Sequence, residues 1–244
     1  MKTIVILAAR INSRRLPGKM LLPLNGTPLI EVAIRRLQKS RTIDGIVLAT
    51  TKKTWPHVKD IVARTGIEYF LGSEKDVLGR FYHAAKRAKA DLVVRATGDN
   101  PLVSAKGVDM IVRYHKRHHA DLSHYLGLPL GCGVEVISFP ALAAAHKEAD
   151  DSFSREHITQ YLYRNRDRFS VHEPVVAPSL RRGDLSLTVD TPGDYRRVKR
   201  IFRHFHRDGT TVGIEKIIRY ARRHGASFLE KRYWKSIDNI NILC

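Results

Sequence analysis

Cysteine is nearly absent from this chain: its 244 residues include only Cys132 and Cys244. That excludes a disulfide-stapled secreted domain, and a zinc site built mainly on cysteine goes with it. Long apolar runs are missing too. The opening run, residues 4–9, is too short for the apolar core of a signal peptide and far short of the ~20 residues that span a bilayer. A cytoplasmic protein without a membrane span is therefore expected. No internal repeat, low-complexity tract or long linker breaks the chain. Acidic residues are scarce, with 24 Asp or Glu against 43 Lys or Arg and a formal net charge of +19. Such a field attracts anions of every kind, whether polyphosphate, nucleic acid or an acidic membrane surface. Residues 196–235 alone hold 13 Lys or Arg against 3 Asp or Glu, so part of the excess belongs to the C-terminal helices. Aromatic residues make up 8% and are not interleaved with that stretch, which argues against nucleic acid as the partner.

What is present suits a packed core: 43% of the residues are hydrophobic, which excludes disorder and a fibrous build. The first half alternates strand and helix patterns. Residues 3–9 form a β-branched apolar run, as a buried parallel strand requires. Thr27-Pro28 reads as an N-cap followed by proline at the first helical position, with Leu29, Val32, Ala33 and Leu37 on one face. Strands are expected at 45–50, 67–70 and 91–96, and helices at 58–64 and 76–89. This alternation predicts an α/β fold, a mostly parallel sheet with helices on both faces. The second half is less regular. Helices are expected at 105–118, 140–147, 154–163, 192–206 and 213–224, with strands at 134–138 and 185–189. The length suggests one domain, residues 1–244, with its substrate lobe in the second half.

The chemistry concentrates after the first strand. Arg10, Arg14, Arg15 and Lys19 place four cations in a ten-residue loop at the carboxyl end of a buried strand. Ligands bind at that edge of open α/β sheets. Arginine offers bidentate bonds and lysine a point charge, a combination suited to a triphosphate. A solvated turn is the plain alternative. The glycine-lysine pattern of a Walker loop is absent. Asp99 and Asp190 both stand at expected strand ends ahead of helices, where a turn or capping role is equally open. Glu135 is a charged residue in an apolar strand, either a satisfied structural acid or part of a site. His157 and Tyr161 share a helical face by their spacing, which also fits plain packing against the sheet. His115, His118 and His119 read as a solvated basic face, Arg14 as a solvent residue, and both cysteines as unreactive.

Four ordered motifs carry a resemblance. Ala9 to Lys19 has the form Ala-Arg-x-x-Ser-x-Arg-Leu-Pro-Gly-Lys. It is followed by Gly-Ser-x-x-Asp-Val-Leu from Gly72, Arg-x-Thr-Gly-Asp from Arg95, and Thr-Val-Asp-Thr-Pro from Thr188. Over residues 3–205 the chain resembles the cytidylyltransferases that activate sugar acids. It stands nearest the branch of spore coat polysaccharide biosynthesis protein F, with 3-deoxy-manno-octulosonate and acylneuraminate cytidylyltransferases as wider relatives. The resemblance implies a nucleotide-diphospho-sugar transferase-like three-layer sandwich. Residues 1–120 would bind nucleotide, and residues 121–244 the acceptor.

It also implies an activity and a site. An acceptor oxygen would attack the α-phosphorus of CTP and pyrophosphate would leave, with Mg²⁺ offsetting charge. Ala8, Ala9, Arg10, Ser13, Arg15, Lys19, Gly72, Ser73 and Asp99 would contact the nucleotide, with Arg10, Arg15, Lys19 and Asp99 as the catalytic set. Asp99 and Asp190 would hold the metal, a sparse carboxylate supply of the kind Mg²⁺ uses with phosphate oxygens and water. Glu135, His157 and Tyr161 would meet an acidic small-molecule acceptor. Relatives commonly pair through the second half, so a homodimer is compatible with the resemblance. Asn12 stands where the family usually has Gly or Ala, Asn100 where it has Cys, and Gly133 where close relatives often have Asp. Two rival readings stay open. One is cytidylyl transfer to a phosphate or phosphonate, or use of another NTP. The other is a catalytically weakened domain that binds nucleic acid or anionic surfaces.

Overall fold

A computed structural model describes residues 1–205, 212–224, 234–237 and 240–243. The first half comprises β1 (Thr3–Ala8), a small hairpin of β2 (Pro23–Leu24) and β3 (Thr27–Pro28), α1 (Leu29–Leu37) and β4 (Gly45–Thr50). It continues through α2 (Trp55–Thr65), β5 (Glu68–Leu71), α3 (Val77–Arg87) and β6 (Leu92–Thr97). The second half opens with α4 (Ala105–His118), β7 (Leu122–His124), β8 (Glu135–Ser138) and α5 (Phe139–Glu148). Then come α6 (Ser152–Glu156), α7 (Gln160–Arg164), β9 (Val171–His172), α8 (Pro192–His204), α9 (Ile214–Arg223) and the hairpin of β10 (Trp234–Ile237) and β11 (Ile240–Leu243).

Seven strands form one sheet in the order β5-β4-β1-β6-β8-β7-β9. β1 is central because both its faces are apolar, with Ile4 to Leu7 all buried, and it runs parallel to β4 and β6. β8 runs antiparallel to both β6 and β7, so the sheet is mixed and mostly parallel, as expected. Alternate residues of the strands feed separate layers. Ile4, Ile6, Val93 and Ile137 pack on Leu78, Phe81, Leu142 and Leu162 of α3, α5 and α7. Val5, Leu7, Leu48 and Val94 pack on Ile30, Ile34, Val58, Ile111 and Val112 of α1, α2 and α4. A third cluster joins Leu187 and Val189 to Val198, Ile201 and Phe202 of α8 and to Ile217 of α9. Side-chain caps set several helix starts: Asp76, Ser104, Ser138 and Asp151 each accept a backbone N–H from the first turn.

Four expectations are corrected. Thr27 does not cap α1; with Pro28 it forms β3, and the helix begins at Leu29 without a side-chain cap. The expected helix 154–163 is two short helices, α6 and α7, interrupted at residues 157–159. His157 and Tyr161 therefore do not share a continuous helical face. Residues 185–189 make no sheet strand. They run extended along the 130–131 turn, where the Leu187 N–H donates to Leu130 O at 2.8 Å and the Val189 N–H to Asp99 O at 3.0 Å. Gly131 enforces this crossing. Its φ is +85°, and a Cβ there would lie 2.7 Å from the Thr188 nitrogen. Finally, His115 is not on a solvated face. It is buried, its Nδ1 is 3.0 Å from Ser123 Oγ, and its Nε2 has no hydrogen-bond partner.

Two outcomes follow from these contacts. Gly131→Ala should destabilise the fold by roughly 1–3 kcal/mol in urea denaturation, since the left-handed backbone and the blocked Cβ both disfavour it. Burial pushes the His115 pKa down to about 4. The unfolded imidazole titrates near ~6.5, so its contribution to stability is complete above that pH and is lost as pH falls toward the folded value. Unfolding free energy should drop by on the order of 3 kcal/mol across that window, and His115→Gln should flatten the slope.

Candidate active site

The loop after β1 is held where it leaves the strand. The Ala9 N–H donates to Ala49 O at 3.3 Å, and the Ile11 N–H to Thr54 Oγ1 at 3.1 Å. Ser13 Oγ accepts the Leu16 N–H at 3.4 Å, closing a turn inside the loop. Asn12 reaches across to Glu74 Oε1 at 2.8 Å, which ties the loop to the segment that starts at Gly72. There the Gly72 N–H donates to Thr50 O at 2.9 Å, and Ser73 Oγ accepts the Asp76 N–H at 3.0 Å. Ala8 is half-buried at the end of β1; Arg10, Arg14 and Arg15 are exposed. Gly18, with φ of +66°, then turns the chain into a 3-10 turn, Lys19–Leu21.

Lys19 joins three distant segments. Its Nζ lies 2.7 Å from Asp99 Oδ2 and 2.7 Å from Asp190 Oδ1, although these residues are 80 and 171 positions away. The two carboxylate oxygens are therefore no further apart than twice that distance. Arg15 adds a contact to Asp190 Oδ1 at 3.2 Å. Asp99 is set by its own turn, since Thr97 Oγ1 donates to Asp99 Oδ1 at 2.6 Å and Asn100 Nδ2 donates to Thr97 Oγ1 at 2.9 Å. Asp190 is set by the capping box of α8. Asp194, fully buried, accepts the N–H groups of Asp190 and Thr191 at 3.0 and 2.8 Å and is paired with Arg197. Thr191 is thus the N-cap and Asp194 the third-residue partner of the box, which leaves the Asp190 carboxylate to face Lys19. The sequence signal for Asp194 was the Thr-x-x-Asp spacing ahead of an apolar-periodic helix.

The donor chemistry at this point suits a hard cation. Two carboxylates converge, and no group of three or more His, Cys, Asp or Glu does so among the described residues. That composition fits Mg²⁺, which takes one or two carboxylates and completes its shell with phosphate oxygens and water.

The acceptor-side residues divide. Glu135 pairs with Arg95, whose Nη1 lies 2.5 Å from Glu135 Oε2; Thr159 Oγ1 donates to the same oxygen at 3.4 Å and the Tyr163 hydroxyl to Oε1 at 3.3 Å. Burial works to raise the Glu135 pKa, but Arg95 and His124 outweigh it and hold the carboxyl below its ordinary range. Burial lowers the His157 pKa; the Glu156 carboxylate works against this, and the nearby charges of Arg95 and Arg10 add to it, so the net direction is downward. Tyr161 is directed elsewhere: its hydroxyl donates to Glu148 Oε2 at 2.5 Å, and Arg168 donates to that hydroxyl. The structure therefore brings Arg10, Arg15, Lys19, Asp99 and Asp190 to one edge, with Glu135 and His157 beside it, but does not bring Tyr161. Sequence reasoning passed over Arg95, although it is as anomalous in the apolar strand β6 as Glu135 is in β8.

A mixed sheet in this order, with a cationic loop and paired aspartates at its carboxyl edge, defines a nucleotidyltransferase-type α/β enzyme. More specifically, the chain belongs to the cytidylyltransferase family, whose model matches residues 4–220. It is 38% identical to an uncharacterized protein of Methanocaldococcus jannaschii over 99% of this chain and 95% of that one. It is 30% identical to spore coat polysaccharide biosynthesis protein SpsF of Bacillus subtilis, over 81% of this chain and 85% of the relative. The structure of a cytidylyltransferase from Leptospira borgpetersenii superposes with a TM-score of 0.87 at 25% identity, covering 96% of this chain and 100% of that one.

Replacing Lys19 by Met should remove an ammonium that both Asp99 and Asp190 contact. The two partly buried carboxylates would then face each other. Urea denaturation at neutral pH should show a loss of roughly 1–3 kcal/mol.

Proposed function

We propose that the protein transfers CMP from CTP to a small sugar acid, releasing pyrophosphate, within surface-polysaccharide biosynthesis. The observation that supports this most directly is the Lys19 ammonium seated between Asp99 and Asp190 beside the Arg10–Arg15 loop. On this reading Arg10, Arg15 and Lys19 bind the triphosphate. Ala8, Ala9, Ser13, Gly72 and Ser73 shape the nucleotide pocket. Asp99 and Asp190 hold Mg²⁺, which when bound offsets the charge of the phosphate oxygens. Lys19 then donates to phosphate oxygens rather than to the carboxylates. An acceptor oxygen attacks the α-phosphorus, a new P–O bond forms, and the bond to the bridging oxygen breaks. That electron pair leaves with pyrophosphate, and the acceptor's proton passes to solvent. Positioning and charge stabilisation suffice, and no covalent enzyme intermediate is needed. The reaction belongs to one domain, with nucleotide bound mainly by residues 1–120 and acceptor mainly by residues 121–244, the two halves meeting where Arg95, Asp99 and Asp190 stand. A cytoplasmic setting is consistent with the described helices, none of which is long and apolar enough to cross a membrane.

The four NTPs, each supplied with Mg²⁺ and a sugar acid, should separate the readings by pyrophosphate release. CTP should dominate. Arg15→Ala and Lys19→Ala should each weaken CTP binding by about 1.5–3 kcal/mol in calorimetric titration, the loss of one charge-assisted contact. Unchanged affinity in both variants would overturn the assignment.

The basic C-terminal stretch lies apart from this loop in the chain. Arg203, Arg222 and Arg223 are exposed, while Arg207 falls outside the described residues. Changing the three exposed arginines to Gln should leave turnover at saturating CTP within about threefold, a barrier change of roughly 0.65 kcal/mol. A hundredfold loss in a folded variant would place these helices at the active site. Strong salt-dependent binding of DNA or RNA by the parent would favour the binding-domain alternative.

A further inference from the structure

Arg95, Glu135 and His124 occupy one line across the sheet. In the antiparallel register Arg95 stands opposite Glu135, and Glu135 opposite His124. Directly paired residues share a face, so the three side chains project together. Two residues earlier along β6 the equivalent line is Val93, Ile137 and Leu122, all fully buried in the core under α3, α5 and α7. The face thus changes from wholly apolar to charged within one step of the pleat, ~7 Å along the strand. The next step carries Thr97, which donates to Asp99 Oδ1, and Gly133, which has no side chain.

The row is built, but not closed. Glu135 is satisfied by Arg95, Thr159 and Tyr163, and the Tyr163 hydroxyl also lies 2.7 Å from His124 Nδ1. Arg95 is different. Its side chain is 32% exposed, and beyond the bond from Nη1 to Glu135 its guanidinium makes no hydrogen bond among the described residues. A planar fork fixed at one nitrogen, with the others open to solvent, is arranged to receive a carboxylate. The His157 ring lies close enough to feel the charges of both Arg95 and Arg10, and Asp99 follows four residues on, just past the end of β6. Because Glu135 already balances Arg95, an acceptor held by the open guanidinium nitrogens leaves the pair with an excess negative charge, which a dianion makes larger than a monocarboxylate does.

We propose that Arg95 anchors the carboxylate of the acceptor, and that Glu135 is a positioning residue that fixes Arg95 and discriminates against dianionic acceptors. This rests on the reading above that the protein is an acceptor-using cytidylyltransferase. The ligand class is a polyhydroxylated monocarboxylate small enough to span from Arg95 to the Asp99 edge. The row's remaining polar groups, Tyr163 and His124, suit its hydroxyls.

The test uses the full chain with CTP, Mg²⁺ and two probes, 3-deoxy-manno-octulosonate as the acid and glucose 1-phosphate as the dianion. Arg95→Met should raise KM for the acid by about 10- to 100-fold, Arg95→Lys by less, with kcat and CTP affinity within about threefold. Glu135→Gln should improve the sugar phosphate relative to the acid, a change that a merely structural role would not produce. An unchanged acid KM in Arg95→Met, or an equal loss of CTP affinity, overturns the proposal while leaving the cytidylyltransferase reading intact. If wild type binds the acid in calorimetry on the CTP-loaded protein but releases no pyrophosphate, that reading fails; loss of this binding in Arg95→Met still supports the anchor. No binding of the acid by CTP-loaded wild type overturns the anchor. Should Arg95→Met fail to fold, Arg95→Lys carries the same comparison, and an unaltered KM there overturns the proposal.

Discussion

One ammonium group ties this fold to its chemistry. Lys19 lies 2.7 Å from both Asp99 and Asp190, and through them it connects the loop after β1, the turn after β6 and the segment before α8. Two carboxylates this close, each mostly removed from water, repel one another unless a cation lies between them. The surrounding devices all serve that constraint. Thr97 and Asn100 hold Asp99, Thr191 and Asp194 form the capping box of α8 and free Asp190 from that duty, and Gly131 lets residues 185–190 cross close to the sheet edge.

The arrangement also explains how a chain of charge +19 keeps acidic groups at its centre. The cations around the edge are individually matched: Lys19 with two aspartates, Arg10 with Glu156, Arg95 with Glu135. Further cations stand elsewhere, at exposed positions of the C-terminal helices such as Arg203, Arg222 and Arg223. Net charge therefore describes the long-range field, whereas the anion-binding geometry comes from local pairing. The exposed arginines of the loop, Arg10 and Arg15, are themselves bridged, to Glu156 and Asp190, with about half of each arginine side chain in water, where an ion pair contributes little.

The family assignment and the site geometry support each other at different levels. Membership of the cytidylyltransferases rests on a match across residues 4–220, and the Leptospira enzyme shares the architecture at a TM-score of 0.87. Neither names the acceptor. The second half differs from the first in its regularity: β7 and β8 carry His124 and Glu135, and the helical cover is broken at residues 157–159.

The sequence by itself determined the layer architecture and marked the cationic loop and the two aspartates as residues of interest. A short β-branched apolar run such as residues 4–7 favours a buried strand over a helix, and motifs read along the chain do not depend on what they touch. It misjudged what depends on partners from elsewhere in the chain. Thr27 became a strand because Leu24 lies across from it, and residues 185–189 stay outside the sheet because they pair with a turn. His115 is buried by Ser123 of a neighbouring strand, and Tyr161 turns to Glu148 and Arg168 instead of the site. Arg95 shows the same division: its oddness in an apolar strand was written in the sequence, but its meaning was not. Only the register between β6, β8 and β7 decided that Arg95, Glu135 and His124 stand in one row, because strand pairing is a long-range interaction that local residue pattern does not encode.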